Sequence, residues 1–124
     1  MLAVSGLLEL HEANGYALIG LNAFAGVWCM AAFRWSVPRG RSMWIVVIVA
    51  QLTVFAQAVI GAVLANRDGV ELDDMHALYG FSAVIAVAIM YSYRTSPFLK
   101  GKELLLYGFG SLFVMGLGLR NLVL

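Results

Sequence analysis

Four long apolar segments, separated by three short polar stretches, restrict what this sequence can fold into. Each segment has close to the roughly 20 residues that a helix needs to cross a hydrocarbon layer of about 30 Å. Hydrophobic residues make up 62% of the chain and charged residues 12%, whereas a soluble domain has about 45–50% and about 25%. The sequence therefore predicts an all-α integral membrane protein, with spans at about 13–33, 43–65, 75–93 and 104–124.

The short loops predict how these helices are arranged. Neighbouring helices joined by short loops pack antiparallel, so residues 1–124 are expected to form a single up-down four-helix bundle. Little sequence remains for a soluble domain. No hydrolase triad, phosphate-binding glycine loop, paired-cysteine metal motif or nucleic-acid-binding module is present. The chain is therefore not expected to be an enzyme by itself or to bind nucleic acid.

Charges in the loops predict the orientation. Six of the eight Lys and Arg residues lie in the first and third loops: Arg34, Arg39, Arg41, Arg94, Lys100 and Lys102. Basic residues in short loops mark the cytoplasmic side of a membrane. The second loop is instead acidic, with Asp68, Glu71, Asp73 and Asp74. We therefore expect a multi-pass protein of the plasma (inner) membrane with both termini on the non-cytoplasmic side.

The two histidines occupy similar surroundings, at the outer ends of spans one and three. His11 is followed four residues later by Gly15, and His76 is followed four residues later by Gly80, with an aromatic residue next in both cases. Residues four apart lie on one helix face, about one turn apart. Each glycine therefore removes a side chain just below a histidine. The pattern predicts a flat slot beside each helix, suited to a porphyrin whose iron is bound by a histidine.

The histidine pair predicts a specific cofactor. His11 and His76 are expected at matching depths on different helices, as the two axial ligands of one haem require. Each is also expected in or just before the first turn of its helix, where the helix dipole favours the neutral imidazole that binds metal. We therefore interpret the chain as a haem b protein with bis-histidine ligation near the outer face. It would transfer electrons alone or as a subunit of an electron-transfer assembly.

Gln57 lies on the same face of span two as Thr53 and Gly61, at spacings of four residues. Polar side chains of membrane helices tend to face the bundle interior. Gln57 is therefore expected to donate a hydrogen bond to a cofactor, such as a haem propionate or a quinone, or to bond to a neighbouring helix.

Other interpretations remain open. Interfacial histidines and helical glycines also occur for structural reasons, so the chain could be a cofactor-free accessory subunit of a larger, respiratory-type membrane complex. Its partners would then be lipid and other membrane subunits, or further copies of itself. A zinc site completed by Glu12, Asp73 and Asp74 is another interpretation, and a small transporter or quinone-binding component is a fourth. Ion-coupled transport is disfavoured because no acidic or basic residue lies in mid-span.

A family resemblance supports the haem interpretation. The stretch from Gln57 to Ala65, the acidic loop after it and His76 at the start of an inward helix resemble one four-helix half of a haem A synthase, and other membrane b-type cytochromes are similar. The resemblance covers roughly residues 13–93, and it implies that His11 and His76 are axial ligands. Leu8 stands where the family has a catalytic glutamate, three residues before a histidine. The resemblance thus implies a haem-binding half-unit without synthase chemistry.

Overall fold

The structure is a computed structural model that describes residues 2–35, 40–67, 69 and 73–123, with the backbone alone described for residues 2–5, 99 and 123. This part of the chain holds four α-helices and one short 3-10 helix: α1 (Leu2–Arg34), α2 (Arg41–Asn66), α3 (Asp74–Tyr93), the 3-10 helix (Pro97–Leu99) and α4 (Glu103–Val123). All four α-helices are long and apolar enough to cross a membrane, which confirms the prediction of four potential spans. Three charged residues of the predicted loops, Arg39, Asp68 and Glu71, lie outside the described residues.

Helix α1 is longer than predicted. It begins at Leu2, whereas the first span was expected to begin near residue 13, with the preceding residues forming either a surface-lying turn or an early extension of this helix. The added residues are rich in leucine and contain no proline, so they favour helix over a surface turn. One consequence corrects the sequence interpretation: His11 lies in the third turn of α1, too far inside for the helix dipole to act on it. His76 does lie in the first turn of α3, as expected.

Asp73 fixes the start of α3. Its backbone is extended, with φ −67° and ψ 136°, and its side chain accepts a hydrogen bond from the backbone N–H of His76 at 3.2 Å. This is the geometry of an N-cap, in which a carboxylate satisfies one of the free N–H groups of the first turn. The cap therefore also sets where His76 lies on the helix.

Replacing Asp73 by alanine is expected to destabilise the fold by about 0.5–2 kcal/mol, because the N–H of His76 loses its acceptor. Asparagine caps about as well as aspartate, so Asp73→Asn is expected to retain most of the stability. Unfolding by SDS in mixed micelles measures both variants. Equal losses for alanine and asparagine would contradict a capping role.

The helices form a four-helix arrangement with unequal contacts. Helix α1 packs most extensively against α4 and also against α2, whereas α3 packs against α4 and only sparingly against α2. Helices α1 and α3 therefore face each other across the diagonal of the bundle. The core contains Cys29, Met43, Val47, Val54, Val87, Met90 and Val114. Other large apolar side chains are more than half exposed, as expected for helices that contact lipid: Phe24, Val27, Ile48, Leu52, Phe109 and Phe113.

The close packing of α1 on α4 depends on Gly26. A Cβ atom at Gly26 would lie 2.7 Å from Cγ of Leu112 and 3.1 Å from the main-chain oxygen of Gly108. A side chain at this residue would therefore require Leu112 to move and the backbone of α4 to shift by a few tenths of an ångström. Glycines commonly mark such close approaches between membrane helices.

Candidate functional site

The two histidines meet at one end of the bundle. The ring centres of His11 and His76 lie 6.0 Å apart, and the ring planes are inclined by 58°. Both side chains are partly buried. They come from the diagonal helices α1 and α3, so they approach each other across the interior of the bundle. The structure thus places at one depth the two residues that the sequence singled out.

A cavity of about 770 Å³ adjoins the two rings. Residues from all four helices line it, and α2 and α3, which pack only sparingly on each other, contribute more of the lining than α1 or α4. The volume falls in the range of about 300–1,000 Å³ that is usual for small-molecule and cofactor sites. All five residues of the predicted site line this cavity: His11, Gly15, Gln57, His76 and Gly80.

Amide side chains connect α1 to α2 at His11. Nε2 of Gln57 donates a hydrogen bond to the main-chain oxygen of His11 at 2.8 Å. Nδ2 of Asn14 donates to Oε1 of Gln57 at 2.8 Å and to the main-chain oxygen of Thr53 at 2.9 Å. Of the two roles considered for Gln57, the structure shows the bond to a neighbouring helix. This bond holds the backbone of His11 against α2.

A second amide makes the equivalent bond at the other histidine. Nδ2 of Asn121, near the end of α4, donates to the main-chain oxygen of His76 at 3.2 Å. Each histidine carbonyl therefore accepts a hydrogen bond from an amide of an adjacent helix, Gln57 in one case and Asn121 in the other. Interhelical bonds of this kind hold membrane helices in register.

The repeated glycines explain how these amides reach the histidine carbonyls. The carbonyl of a helical residue points toward the residue four positions later, where a side chain would crowd a second donor. A Cβ at Gly15 would lie 3.2 Å from Nε2 of Gln57, and a Cβ at Gly80 would lie 4.0 Å from Nδ2 of Asn121. The space beside Gly15, where a slot was predicted, is therefore taken by Gln57. Beside Gly80 there is more room, because the nearest atom to such a Cβ is Nδ2 of Asn121, at 4.0 Å.

The polar atoms around the cavity define its chemistry. Nδ1 of His11 is enclosed by protein and has no hydrogen-bond partner, so Nε2 is the nitrogen of this ring that can reach a ligand. Tyr79 lines the cavity, and the guanidinium carbon of Arg120 lies 6.0 Å from its ring centre. A positive charge therefore lies near the rim of the cavity.

A zinc site is not supported at this position. Among the described residues, no three side chains of His, Cys, Asp or Glu lie close enough together to hold a metal ion, whereas protein zinc sites usually use three or four such ligands. A metal held here would need ligands beyond the two histidines, as a porphyrin supplies.

Two residues of the site, Asn14 and Asn121, were not predicted from the sequence. Both are amides inside otherwise apolar helices, and polar side chains in such helices tend to face the bundle interior. That signal was present, but the partner of each amide depends on which helices are adjacent. Comparison with models of protein families, with curated proteins and with solved structures gives no match to this chain.

The contribution of the hydrogen bond from Gln57 to His11 can be tested by comparison with a second glutamine on the same helix. Gln57→Leu removes two interhelical bonds and is expected to destabilise the protein by about 0.5–1.5 kcal/mol. Nε2 of Gln51 is buried without a partner, so Gln51→Leu is expected to be neutral or stabilising. SDS titration in mixed micelles compares the two variants. Equal effects would contradict a specific role for Gln57.

Proposed function

We propose that this chain is a small membrane haem b protein in which His11 and His76 bind the iron from opposite sides. The distance between their rings carries the proposal. A metal–nitrogen bond of about 2 Å on each side, plus roughly 1 Å from each nitrogen to its ring centre, puts the ring centres about 6 Å apart. The two rings of this chain lie 6.0 Å apart, which is the separation expected for two histidines that share one metal ion.

The surroundings of the rings also suit a haem. The adjoining cavity has the volume of a cofactor site. A Cβ at Gly80 would have one neighbour, at 4.0 Å, which leaves room beside His76 for a flat ligand. The guanidinium of Arg120 near Tyr79 offers a counter-charge for the carboxylates of a haem, and arginine pairs well with carboxylates.

A bound haem with two histidine ligands would supply a one-electron couple. The residues of this chain would set its properties. His11 and His76 would both hold the iron, which favours electron transfer over catalysis at the metal. Gln57 and Asn121 hold the two histidine backbones in place. Axial ligands, burial and hydrogen bonds together set the potential of such a group.

The distribution of charge supports the proposed topology. The described basic residues Arg34, Arg41, Arg94, Lys100 and Lys102 lie at the end of the bundle opposite His11 and His76. By the positive-inside rule, we infer that this end is cytoplasmic and that both termini lie on the outer side. We propose the plasma (inner) membrane as the location. The haem would then exchange electrons near the outer face, with another subunit, a further copy or a partner at that surface.

An absorbance spectrum of the purified protein in mild detergent tests this function. With haem supplied during expression, we expect a Soret band and, after reduction with dithionite, the sharp bands of a six-coordinate b-type haem. A well-folded, helical but colourless protein would contradict the proposal. That outcome would favour the cofactor-free accessory subunit, whose partners copurification in mild detergent would then identify.

A further inference from the structure

A second concave surface lies between α3 and α4, away from the histidines. It is an open groove of about 800 Å³ with almost entirely apolar walls. Its α3 wall includes Phe81, Ile85 and Ile89, and its α4 wall includes Phe109 and Phe113. All five of these side chains are between 42% and 66% exposed. The groove is thus open along its length to whatever surrounds the bundle.

One charged side chain lines this groove, that of Lys102 at the start of α4. The neighbouring Glu103 does not line the groove, and its Oε1 accepts a hydrogen bond from the backbone N–H of Gly101 at 3.3 Å. Arg94, in the same loop region, lies over the ring of Tyr91 at 4.6 Å. Lys102 therefore gives the groove a cationic end and an apolar body.

The length of the groove matches one leaflet of a bilayer. From Lys102 to Phe113, α4 rises by about 16–17 Å at 1.5 Å per residue. Half of a typical hydrocarbon core of about 30 Å is roughly 15 Å. A ligand with an anionic group at Lys102 and one extended chain along the groove would therefore end near the bilayer midplane. An anionic phospholipid has this shape and charge, and cytoplasmic leaflets are rich in such lipids.

We propose that the groove between α3 and α4 is a binding site for an anionic phospholipid of the cytoplasmic leaflet. Its phosphate group pairs with Lys102, and one acyl chain lies against Phe81, Ile85, Phe109 and Phe113. The site shares Phe81 with the lining of the histidine cavity but contains neither histidine, so it stands whether or not the chain binds haem. It also assigns a ligand to an apolar surface that packing within the chain leaves uncovered.

Lipid retention in native mass spectrometry tests this site, with phosphatidylglycerol and phosphatidylcholine of identical acyl chains as probes. The unaltered protein is expected to retain phosphatidylglycerol about tenfold better, equivalent to roughly 1.4 kcal/mol. Lys102→Gln is expected to lower retention to the level of phosphatidylcholine. Lys100→Gln, in the preceding turn but outside the groove, is the matched control and is expected to change little.

The apolar half of the site has its own pair of variants. Ala86 lines the groove, whereas Ala88 is exposed on another face of α3. Ala86→Trp is expected to displace both lipids, and Ala88→Trp neither. Equal retention of the two lipids by the unaltered protein, or equal effects of the paired variants, would overturn the proposal. Displacement by inorganic phosphate alone would also overturn it, since Lys102 would then bind free anions without a lipid.

Discussion

Replacing His76 by alanine is expected to remove most of the haem that we propose the purified protein binds. The variant lacks one of the two imidazole rings, 6.0 Å apart, that would ligate the iron. Outer-shell partners of metal ligands alone contribute about 10–100-fold to affinity, so loss of a ligand is expected to cost at least about 100-fold. His11→Ala is expected to behave in the same way. The ratio of Soret absorbance to protein, measured after detergent exchange, reports the loss.

A neighbouring residue provides the control for this prediction. Met75 precedes His76, is 42% exposed and does not line the cavity, so Met75→Ala is expected to keep its haem. Any haem left in His76→Ala is expected to be five-coordinate and to bind carbon monoxide, which the six-coordinate form should resist. A haem content and spectrum unaltered by His76→Ala would show that His76 is not a ligand.

Introducing a valine at Gly26 is expected to destabilise the protein substantially. The new side chain would meet Leu112 and the main-chain oxygen of Gly108. Leu112 can change rotamer, but a helix backbone can only move away, which would separate α1 from α4. Overpacking of a tight contact costs about 1–3 kcal/mol and occasionally more. SDS titration in mixed micelles, followed by circular dichroism, measures the change.

Gly20 is the matched control on the same helix. A Cβ at Gly20 would have no heavy atom within 4 Å, so Gly20→Val is expected to leave stability nearly unchanged. The comparison separates the packing of Gly26 from the general effect of placing valine in a helix. A loss at Gly20 as large as at Gly26 would show that helix propensity dominates and that the close approach of α4 is unimportant.

The number of helices and their approximate positions were predictable because hydrophobic length is a local property. Helices α2, α3 and α4 begin and end within about two residues of the expected spans. The start of α1 was not predictable in the same way. Glu9, His11 and Glu12 lower the mean hydropathy of residues 2–12, so this stretch did not look like part of a span, although its residues readily form helix.

The candidate site was predictable only in part. The repeated spacing of His11 and His76 from glycine identified the residues that the structure brings together. The role of the glycines was harder to predict from the sequence, because it depends on amide side chains of other helices. Gln57 lies against Gly15, and Asn121 approaches Gly80. Both contacts depend on which helices are adjacent, and the hydropathy of the sequence does not predict that. Whether the site binds haem stays a prediction for the spectrum to test.

The extensive packing of α1 on α4 has a consequence for biosynthesis. The 68 residues between Arg34 and Glu103 take roughly 3–14 seconds to synthesise at about 5–20 residues per second. Throughout this interval the Gly26 face of α1 lacks its partner and is exposed to lipid or to an insertion factor. The bond from Asn121 to His76 forms later still, with the last turn of α4. The four-helix lining of the cavity beside the two histidines is therefore complete only after α4 has been synthesised.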